Sequence, residues 1–189
     1  CLNNFCKVTE ATLAAWIRIL QATPESRLLL HAHAGSHRDR VRDYLAQHGI
    51  APARLGFTDI VPWTEYCGLY AQMDVALDPF PYGGGTTTCD TLWMGVPVVS
   101  LAGQTAVGRG GLSILSNVGL AALVARDVDE YVRIAVDLAH DLPRLGQLRA
   151  TLRDRMSESP LMDAPRFARN VEAAYRFTWR RWCQGEGST

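Results

Sequence analysis

The chain of 189 residues carries 19 basic and 19 acidic side chains, so its formal net charge is zero. This balance gives no basic surface for nucleic acid or an anionic membrane, and no apolar run approaches the length of a membrane span. With 48% hydrophobic residues, the chain is long enough to build one well-packed domain.

Apolar runs alternate with helical patterns along the whole chain. It opens on Cys1 without a methionine, in a segment (1–5) typical of the end of a strand, which predicts a piece of a longer protein. Further short strands are predicted at 28–30, 55–57, 74–77, 96–99 and 123–124. Helices are predicted from an N-cap at Thr9 to about 20, at 37–47, 64–70, 89–94 and 112–118, at 130–140 after an N-cap at Asp127, and at 143–156 and 164–183. This alternation predicts an α/β, Rossmann-like, doubly wound parallel sheet.

One stretch, residues 78–100, combines a glycine loop with the start of a helix. Three glycines at 83–85 follow a buried strand and allow a ligand to approach the backbone closely. Three threonines at 86–88 add hydroxyl donors at a helix start, whose free N–H groups and dipole favour an anion such as phosphate. Asp90 lies about one turn further on, where it can accept hydrogen bonds from ribose hydroxyls. The alternative is structural: Thr86 caps the helix and the glycines only make a turn.

Two common phosphate motifs are excluded in this stretch. It has no Gly-Lys-Ser/Thr sequence, so the loop is not a P-loop. A dinucleotide fingerprint needs a small residue at the position of Thr88 and an acidic residue roughly 20 positions on, and neither is present. A nicotinamide-dependent oxidoreductase therefore remains only as an alternative, which a failure to bind NAD would remove.

The segment DPFPYGGGTTTCDTLWMGVPVV (78–99) resembles the donor-binding segment of the O-GlcNAc transferase family, in its bacterial, SPINDLY-like branch. The resemblance extends from residues 3–5 to the last helix. It implies the C-terminal, donor-binding lobe of a two-lobed (B-type) inverting glycosyltransferase, usually preceded by tetratricopeptide repeats. We expect a single domain over 1–184, whose helix 164–184 packs on the N-terminal lobe, and a disordered tail at 185–189.

The resemblance also implies the activity. The intact protein is expected to transfer N-acetylglucosamine from UDP-N-acetylglucosamine to protein Ser or Thr hydroxyls, without a cofactor or metal, while this lobe alone is expected to be inactive. Its partners would be the UDP-sugar, the N-terminal lobe, the repeats and an acceptor protein. UDP-glucose as the donor, or a nucleotide-binding module that has lost catalysis, remain as alternatives. Five cysteines without CxxC spacing predict reduced thiols and a cytoplasmic location.

Three residues outside the helix start are candidate ligand contacts by the resemblance. Lys7 matches the family lysine that contacts the donor diphosphate and would neutralise charge on the departing UDP. Asn4 matches a polar family position in the same loop. Arg109 begins an Arg-x-x-x-Ser segment that matches the family, and either a ligand contact or a structural ion pair would explain it.

The helix start supplies the other matched residues. Thr86 and Thr87 match the paired threonines that the family places at the diphosphate, and Asp90 matches its ribose-binding acid. Gly84 and Gly85 let the backbone approach the donor, although animal enzymes carry a histidine at the position of Gly85.

Several positions depart from the family pattern. Tyr66 stands where the family usually has a histidine against the uracil ring, and an aromatic ring can still stack there; the alternative is an ordinary amphipathic helix residue. Gly83 replaces an expected asparagine, and Ala106 and Gly108 replace a histidine and a serine near the sugar end of the pocket. These changes leave the identity of the sugar open.

Three histidines, His31, His33 and His37, fall close together along the chain. Residues two apart on a strand share a face, which is compatible with a metal site. No cysteine or carboxylate is well placed with them before Asp39, so a role at the edge of the cleft is the better interpretation.

Overall fold

Parallel strands alternate with helices throughout residues 1–185, the part of the chain that the computed structural model describes. The strands are β1 (Leu28–His31), β2 (Leu55–Thr58), β3 (Ala76–Leu77), β4 (Val98–Leu101) and β5 (Val124–Ala125). The α-helices are α1 (Glu10–Ala22), α2 (Ser36–Gln47), α3 (Trp63–Leu69), α4 (Thr86–Trp93), α5 (Gly110–Asn117), α6 (Val128–His140), α7 (Leu142–Ser157) and α8 (Ala164–Cys183). The predicted α/β alternation is confirmed, and residues 186–189 of the predicted tail lie outside the described residues.

The strands form two parallel ladders, one of β1 and β2 and one in which β4 lies between β3 and β5. The registers place Leu28 opposite Leu55, Ala76 opposite Val98 and Ser100 opposite Val124. Cys1 runs beside β1, because its amino group donates to Leu29 O (2.7 Å) and its carbonyl accepts from His31 N (3.0 Å). The strand predicted over 1–5 is reduced to this pairing, and Phe5–Lys7 form a 3-10 turn instead.

Side-chain caps fix where several helices begin. At the start of α1 the Thr9 hydroxyl accepts from Thr12 N at 3.2 Å, as predicted. At the start of α6 the Asp127 carboxylate accepts from Glu130 N at 2.8 Å, also as predicted. Helix α4 begins at Thr86, earlier than the sequence pattern predicts. The pattern missed this start because β-branched threonines have low helix propensity and are therefore assigned to a loop from sequence alone.

A buried hydrogen-bonded chain connects the helices to the end of β3. The indole N–H of Trp16 in α1 donates to the Tyr131 hydroxyl in α6 (3.0 Å), which donates to the carbonyl of Asp78 (2.9 Å). Both aromatic side chains are fully buried, and burial raises the pKa of Tyr131, so its hydroxyl stays a neutral donor. The network fixes the backbone where the loop after β3 begins.

Helix α8 leaves an apolar face uncovered. None of its residues is buried, and Phe167, Tyr175 and Trp179 are 68%, 73% and 65% exposed. The aromatic face is therefore not part of the core within the described residues. None of the helices described here has both the length and the apolar character needed to cross a bilayer.

Removing the Tyr131 hydroxyl tests the buried chain. Tyr131→Phe leaves the Trp16 N–H and the Asp78 carbonyl without this partner, so the free energy of unfolding should fall by about 1–3 kcal/mol. Tyr175→Phe makes the same chemical change on the exposed face of α8 and should alter stability by less than about 0.5 kcal/mol. Urea unfolding followed by circular dichroism measures both, and equal stabilities would contradict a stabilising network.

Candidate functional site

The loops that follow β3 and β4 meet at the carboxyl ends of these strands, where open α/β sheets bind ligands. A Cβ built on Gly110 would lie 3.6 Å from the carbonyl oxygen of Gly84, and one on Gly108 would lie 3.2 Å from that of Pro81. The loop after β4 therefore packs directly against the glycine loop, residues 83–85, which leads into α4.

Helix α4 begins without a side-chain cap. Gly85 is its N-cap residue, and the first helical hydrogen bond runs from Cys89 N to Gly85 O at 3.0 Å. The N–H groups of residues 86–88 precede that bond, and with the helix dipole they favour an anion. Thr86 is exposed and Thr87 is partly exposed. The cap that the structural alternative assigned to Thr86 is therefore absent, and the ligand contact expected of Thr86 stays a prediction.

Asp78 is a buried carboxylate directly behind the glycine loop. The residue is 2% exposed, and its side chain accepts hydrogen bonds from the Asn3 amide (3.3 Å) and the Thr88 hydroxyl (3.2 Å). Burial raises the pKa of Asp78, whereas hydrogen bonds from the Ser100 hydroxyl and the Gly84 N–H, with the two just named, oppose that rise. The carboxylate thus connects the chain start, the glycine loop, α4 and β4.

The ammonium group of Lys7 is held against the glycine loop. It donates to the Gly83 carbonyl (3.0 Å) and to the Asn3 side-chain oxygen (3.4 Å), and it lies 4.3 Å from the centre of the Tyr82 ring. Partial burial lowers the pKa of Lys7, and the negative charge of Asp78 opposes that shift. A cation therefore lies beside the loop that leads into α4.

Asp90 and Tyr66 come together from α4 and α3. The Tyr66 hydroxyl lies 3.3 Å from Asp90 Oδ2 and 2.5 Å from the Tyr70 hydroxyl, and its ring stacks on exposed Trp63 with 5.4 Å between ring centres. Burial is the main cause of a raised pKa for Tyr66, so the phenol stays protonated. An aromatic face beside a carboxylate suits a nucleoside, because rings stack on a base and a carboxylate accepts from sugar hydroxyls.

Asn4 and Arg109 bond within their own loops. Asn4 Oδ1 accepts from Cys6 N at 2.9 Å, and the Arg109 guanidinium donates to the Gln104 carbonyl at 2.6 Å. Both residues are exposed, and none of the ion pairs within residues 1–185 includes Arg109. The ligand contacts expected of Asn4 and Arg109 stay predictions.

The structure adds residues that the sequence patterns did not single out, above all Asn3 and Asp78. Their contact joins positions 75 residues apart, which no local period reports. One compositional signal does point to this place: Lys7 is the single lysine in a chain with 19 basic residues, so every other one is an arginine. Arginine and lysine are not interchangeable where a compact ammonium is required.

The histidines form a separate polar group at the carboxyl ends of β1 and β2. His33 Nδ1 lies 2.8 Å from Asp59 Oδ1, and its ring centre lies 5.8 Å from that of His31. The ring of His37 packs on Phe5 instead, with 4.9 Å between ring centres. Among residues 1–185, no three His, Cys, Asp or Glu side chains are grouped as metal ligands.

A cavity of about 660 Å³ lies at the other edge of the strands. Its lining includes Leu28 and Leu55, at the amino ends of β1 and β2, and Val75, just before β3. Ligands of open α/β sheets bind at the carboxyl ends, where the ammonium, the uncapped helix and the carboxylates lie. The candidate site is therefore the carboxyl edge and not this cavity.

Comparison with known proteins agrees with the resemblance in the glycine-loop segment. The profile described as Glycosyl transferase family 41 matches residues 1–171. A probable UDP-N-acetylglucosamine–peptide N-acetylglucosaminyltransferase SPINDLY of Solanum lycopersicum is 44% identical over 188 residues, covering 97% of this chain and 20% of that protein. The UDP-N-acetylglucosamine–peptide N-acetylglucosaminyltransferase of Caenorhabditis elegans is 31% identical over 183 residues, covering 97% of this chain and 16% of that protein.

One solved structure has the same fold as this chain. It is a mutant of the Thermobaculum terrenum O-GlcNAc transferase, with a TM-score of 0.92 and 38% identity, covering 99% of this chain and 36% of that chain. The α/β fold predicted from the sequence is thereby confirmed. The present chain spans about a fifth of the length of the curated relatives that it matches.

The close approach of the glycine loop to Asp78 is testable by adding one methyl group. A Cβ on Gly84 would overlap the Thr88 hydroxyl and lie 2.9 Å from Asp78 Oδ1. Gly84→Ala should therefore lower the free energy of unfolding by about 1–3 kcal/mol. Gly146→Ala in α7, where a Cβ meets nothing within 4 Å, is expected to raise stability by about 0.5–1 kcal/mol. Urea denaturation measures both, and a Gly84→Ala protein as stable as the control would mean that the loop is not held closely.

Proposed function

Because the chain belongs to glycosyl transferase family 41, we propose that it binds the donor in a transferase that moves N-acetylglucosamine from UDP-N-acetylglucosamine to Ser or Thr hydroxyls of proteins. The observation that carries the proposal is the meeting of Lys7, the glycine loop and the uncapped start of α4. These groups are positive or donate hydrogen bonds, which suits the diphosphate of the donor.

In this proposal the site acts on the leaving group. As the glycosidic bond breaks, negative charge grows on the departing UDP, and the Lys7 ammonium, the Thr87 hydroxyl and the N–H groups of residues 86–88 stabilise it. The acceptor hydroxyl attacks from the face opposite UDP, so the anomeric configuration inverts. The protein's own ammonium and helix start supply the positive potential, so we propose turnover without a metal ion.

The nucleoside occupies the other end of α4. Asp90 accepts hydrogen bonds from the ribose hydroxyls, and Tyr66 with Trp63 provides an aromatic face for the uracil ring. By the family resemblance, backbone groups around Val61 and Pro62 hydrogen-bond to the edge of the uracil. The contact between Tyr66 and Asp90, 3.3 Å, supports this division because it joins the base and ribose positions.

The remaining parts of the reaction belong to other segments of the intact protein. The N-terminal lobe supplies the general base, and that lobe with its tetratricopeptide repeats binds the acceptor protein. Residues 1–184 alone therefore do not catalyse transfer. We assign the exposed aromatic face of α8 to contact with that lobe. All five cysteines are free thiols, which supports a cytoplasmic location.

A second donor, UDP-glucose, is favoured by the departures at the sugar end of the site. Gly83, Ala106 and Gly108 all lack the polar side chains that the family carries there. Gly108 is buried, and a Cβ there would lie 3.2 Å from Pro81 O, just before the glycine loop, so a serine would not fit without movement. A binding module without catalysis is the remaining alternative.

Calorimetric titration of the intact protein with UDP, with and without Mg²⁺, tests the donor site. Asp90→Ala removes a charged acceptor and should weaken UDP binding about tenfold or more, and Thr87→Val should weaken it several-fold, about 2–10 times. Asp129→Ala, the same change on an exposed aspartate of α6, should leave UDP affinity unchanged. GDP serves as the comparison for base selectivity. Absence of UDP binding at millimolar concentration in the wild-type protein would refute the donor site.

Lys7→Ala tests the proposed stabilisation of the leaving group. Because the charge develops mainly in the transition state, kcat for transfer to a protein acceptor should fall about 100- to 1,000-fold, more than UDP affinity falls. Lys7→Arg keeps the charge but not the compact ammonium and should recover only part of the rate. Mass spectrometry of the acceptor measures transfer with either sugar donor. An unchanged kcat would remove Lys7 from the mechanism, and an inactive wild-type protein would favour the non-catalytic module.

A further inference from the structure

A buried carboxylate next to a site for a diphosphate needs an explanation, because it repels the ligand. Asp78 is fully enclosed, and no role in binding follows from its own chemistry. A buried charge is costly unless it is compensated, and an apolar residue of similar size would avoid that cost. The carboxylate must therefore contribute something that an apolar side chain would not.

Asn3 shows what that contribution is. Its amide nitrogen donates to Asp78 Oδ1 at 3.3 Å, and its side-chain oxygen accepts from Lys7 Nζ at 3.4 Å. Since the carboxylate accepts only, it dictates which end of the Asn3 amide faces Lys7. The Gly83 carbonyl takes a second N–H of the ammonium at 3.0 Å, and an ammonium has three, so one remains for a ligand oxygen.

We propose that Asp78, acting through Asn3, is a positioning residue that holds the Lys7 ammonium towards the diphosphate of the nucleotide sugar. The inference rests on the proposed function for its ligand, but not for the contact between the three side chains. Asp78 touches neither sugar nor phosphate in this arrangement. Its effect reaches the ligand only through the place and charge of Lys7.

The electrostatics agree with this geometry. Partial burial lowers the pKa of Lys7, and the negative charge of Asp78 raises it, so the carboxylate keeps the amine protonated to higher pH. The other titratable groups around the pair are the Tyr82 ring beside Lys7 and the Tyr131 hydroxyl.

The test measures the protonation of Lys7 directly in the intact protein. The rate at which an acylating agent such as acetic anhydride modifies Lys7 is followed against pH. Peptide mass mapping assigns the modification to Lys7. Asp78→Asn keeps the shape and removes the charge, so the pH midpoint for Lys7 acylation should move down. The alkaline loss of UDP binding, measured by calorimetry across the same pH range, should move down with it.

Ser100→Ala is the matched control. It removes another donor to Asp78 but leaves the carboxylate, Asn3 and Lys7 in place, so a purely structural effect appears in both variants while a shifted Lys7 midpoint appears only in Asp78→Asn. If Asp78→Asn does not fold, Asn3→Leu removes the bridge with the charge retained. Because burial is the larger influence on the Lys7 pKa, release of the ammonium to solvent should move the pH midpoint for Lys7 acylation up.

The outcomes separate this inference from the proposed function. An unchanged Lys7 midpoint in a folded Asp78→Asn protein, or an unchanged Lys7 midpoint in Asn3→Leu, would overturn the positioning role. Lack of UDP binding by the wild-type protein would refute the donor site, while a midpoint shift in the same samples would still support the coupling of Asp78 to Lys7.

Discussion

The site depends on the hydrogen bonds that the buried carboxylate of Asp78 accepts. Its donors come from three parts of the chain that are far apart in sequence: Asn3, the glycine loop with the start of α4 (Gly84 and Thr88), and β4 (Ser100). A charge removed from water is tolerated only while such donors compensate it. Displacing one of these parts therefore weakens the position of the other two, and the conformation of the loop depends on the whole fold.

The same residue is also anchored through its backbone. Its carbonyl accepts from Tyr131, which in turn accepts from Trp16, so the buried aromatic layer and the polar site share one residue. This anchoring of the backbone at Asp78 matters for the proposed chemistry. Donors that are already aimed at a growing negative charge do not have to reorganise during the reaction, which is where electrostatic stabilisation gains its strength. The anchoring and the proposed function are thus consistent with each other.

Local patterns predicted the alternation of strands and helices, the caps at Thr9 and Asp127, and the position of a glycine loop before a helix. They placed the start of α4 too late, because the threonines have low helix propensity and their support comes from the contact of Thr88 with Asp78. The resemblance singled out Lys7, Asp90 and Tyr66 but not the residues behind them. A long-range contact such as that of Asn3 with Asp78 leaves no periodic pattern or fixed spacing in the sequence, so it becomes visible only in the folded structure.

The separation of the strands into two ladders has a consequence for ligand binding. Tyr66 lies in the helix after β2, on one ladder, whereas Asp90 and the glycine loop follow β3, on the other. A nucleotide that contacts both Tyr66 and Asp90 would link the two ladders, which share no strand pairing among the described strands. Since a ligand that binds only the folded form adds to its stability, the nucleotide would then be a structural member of the domain as well as the molecule on which it acts.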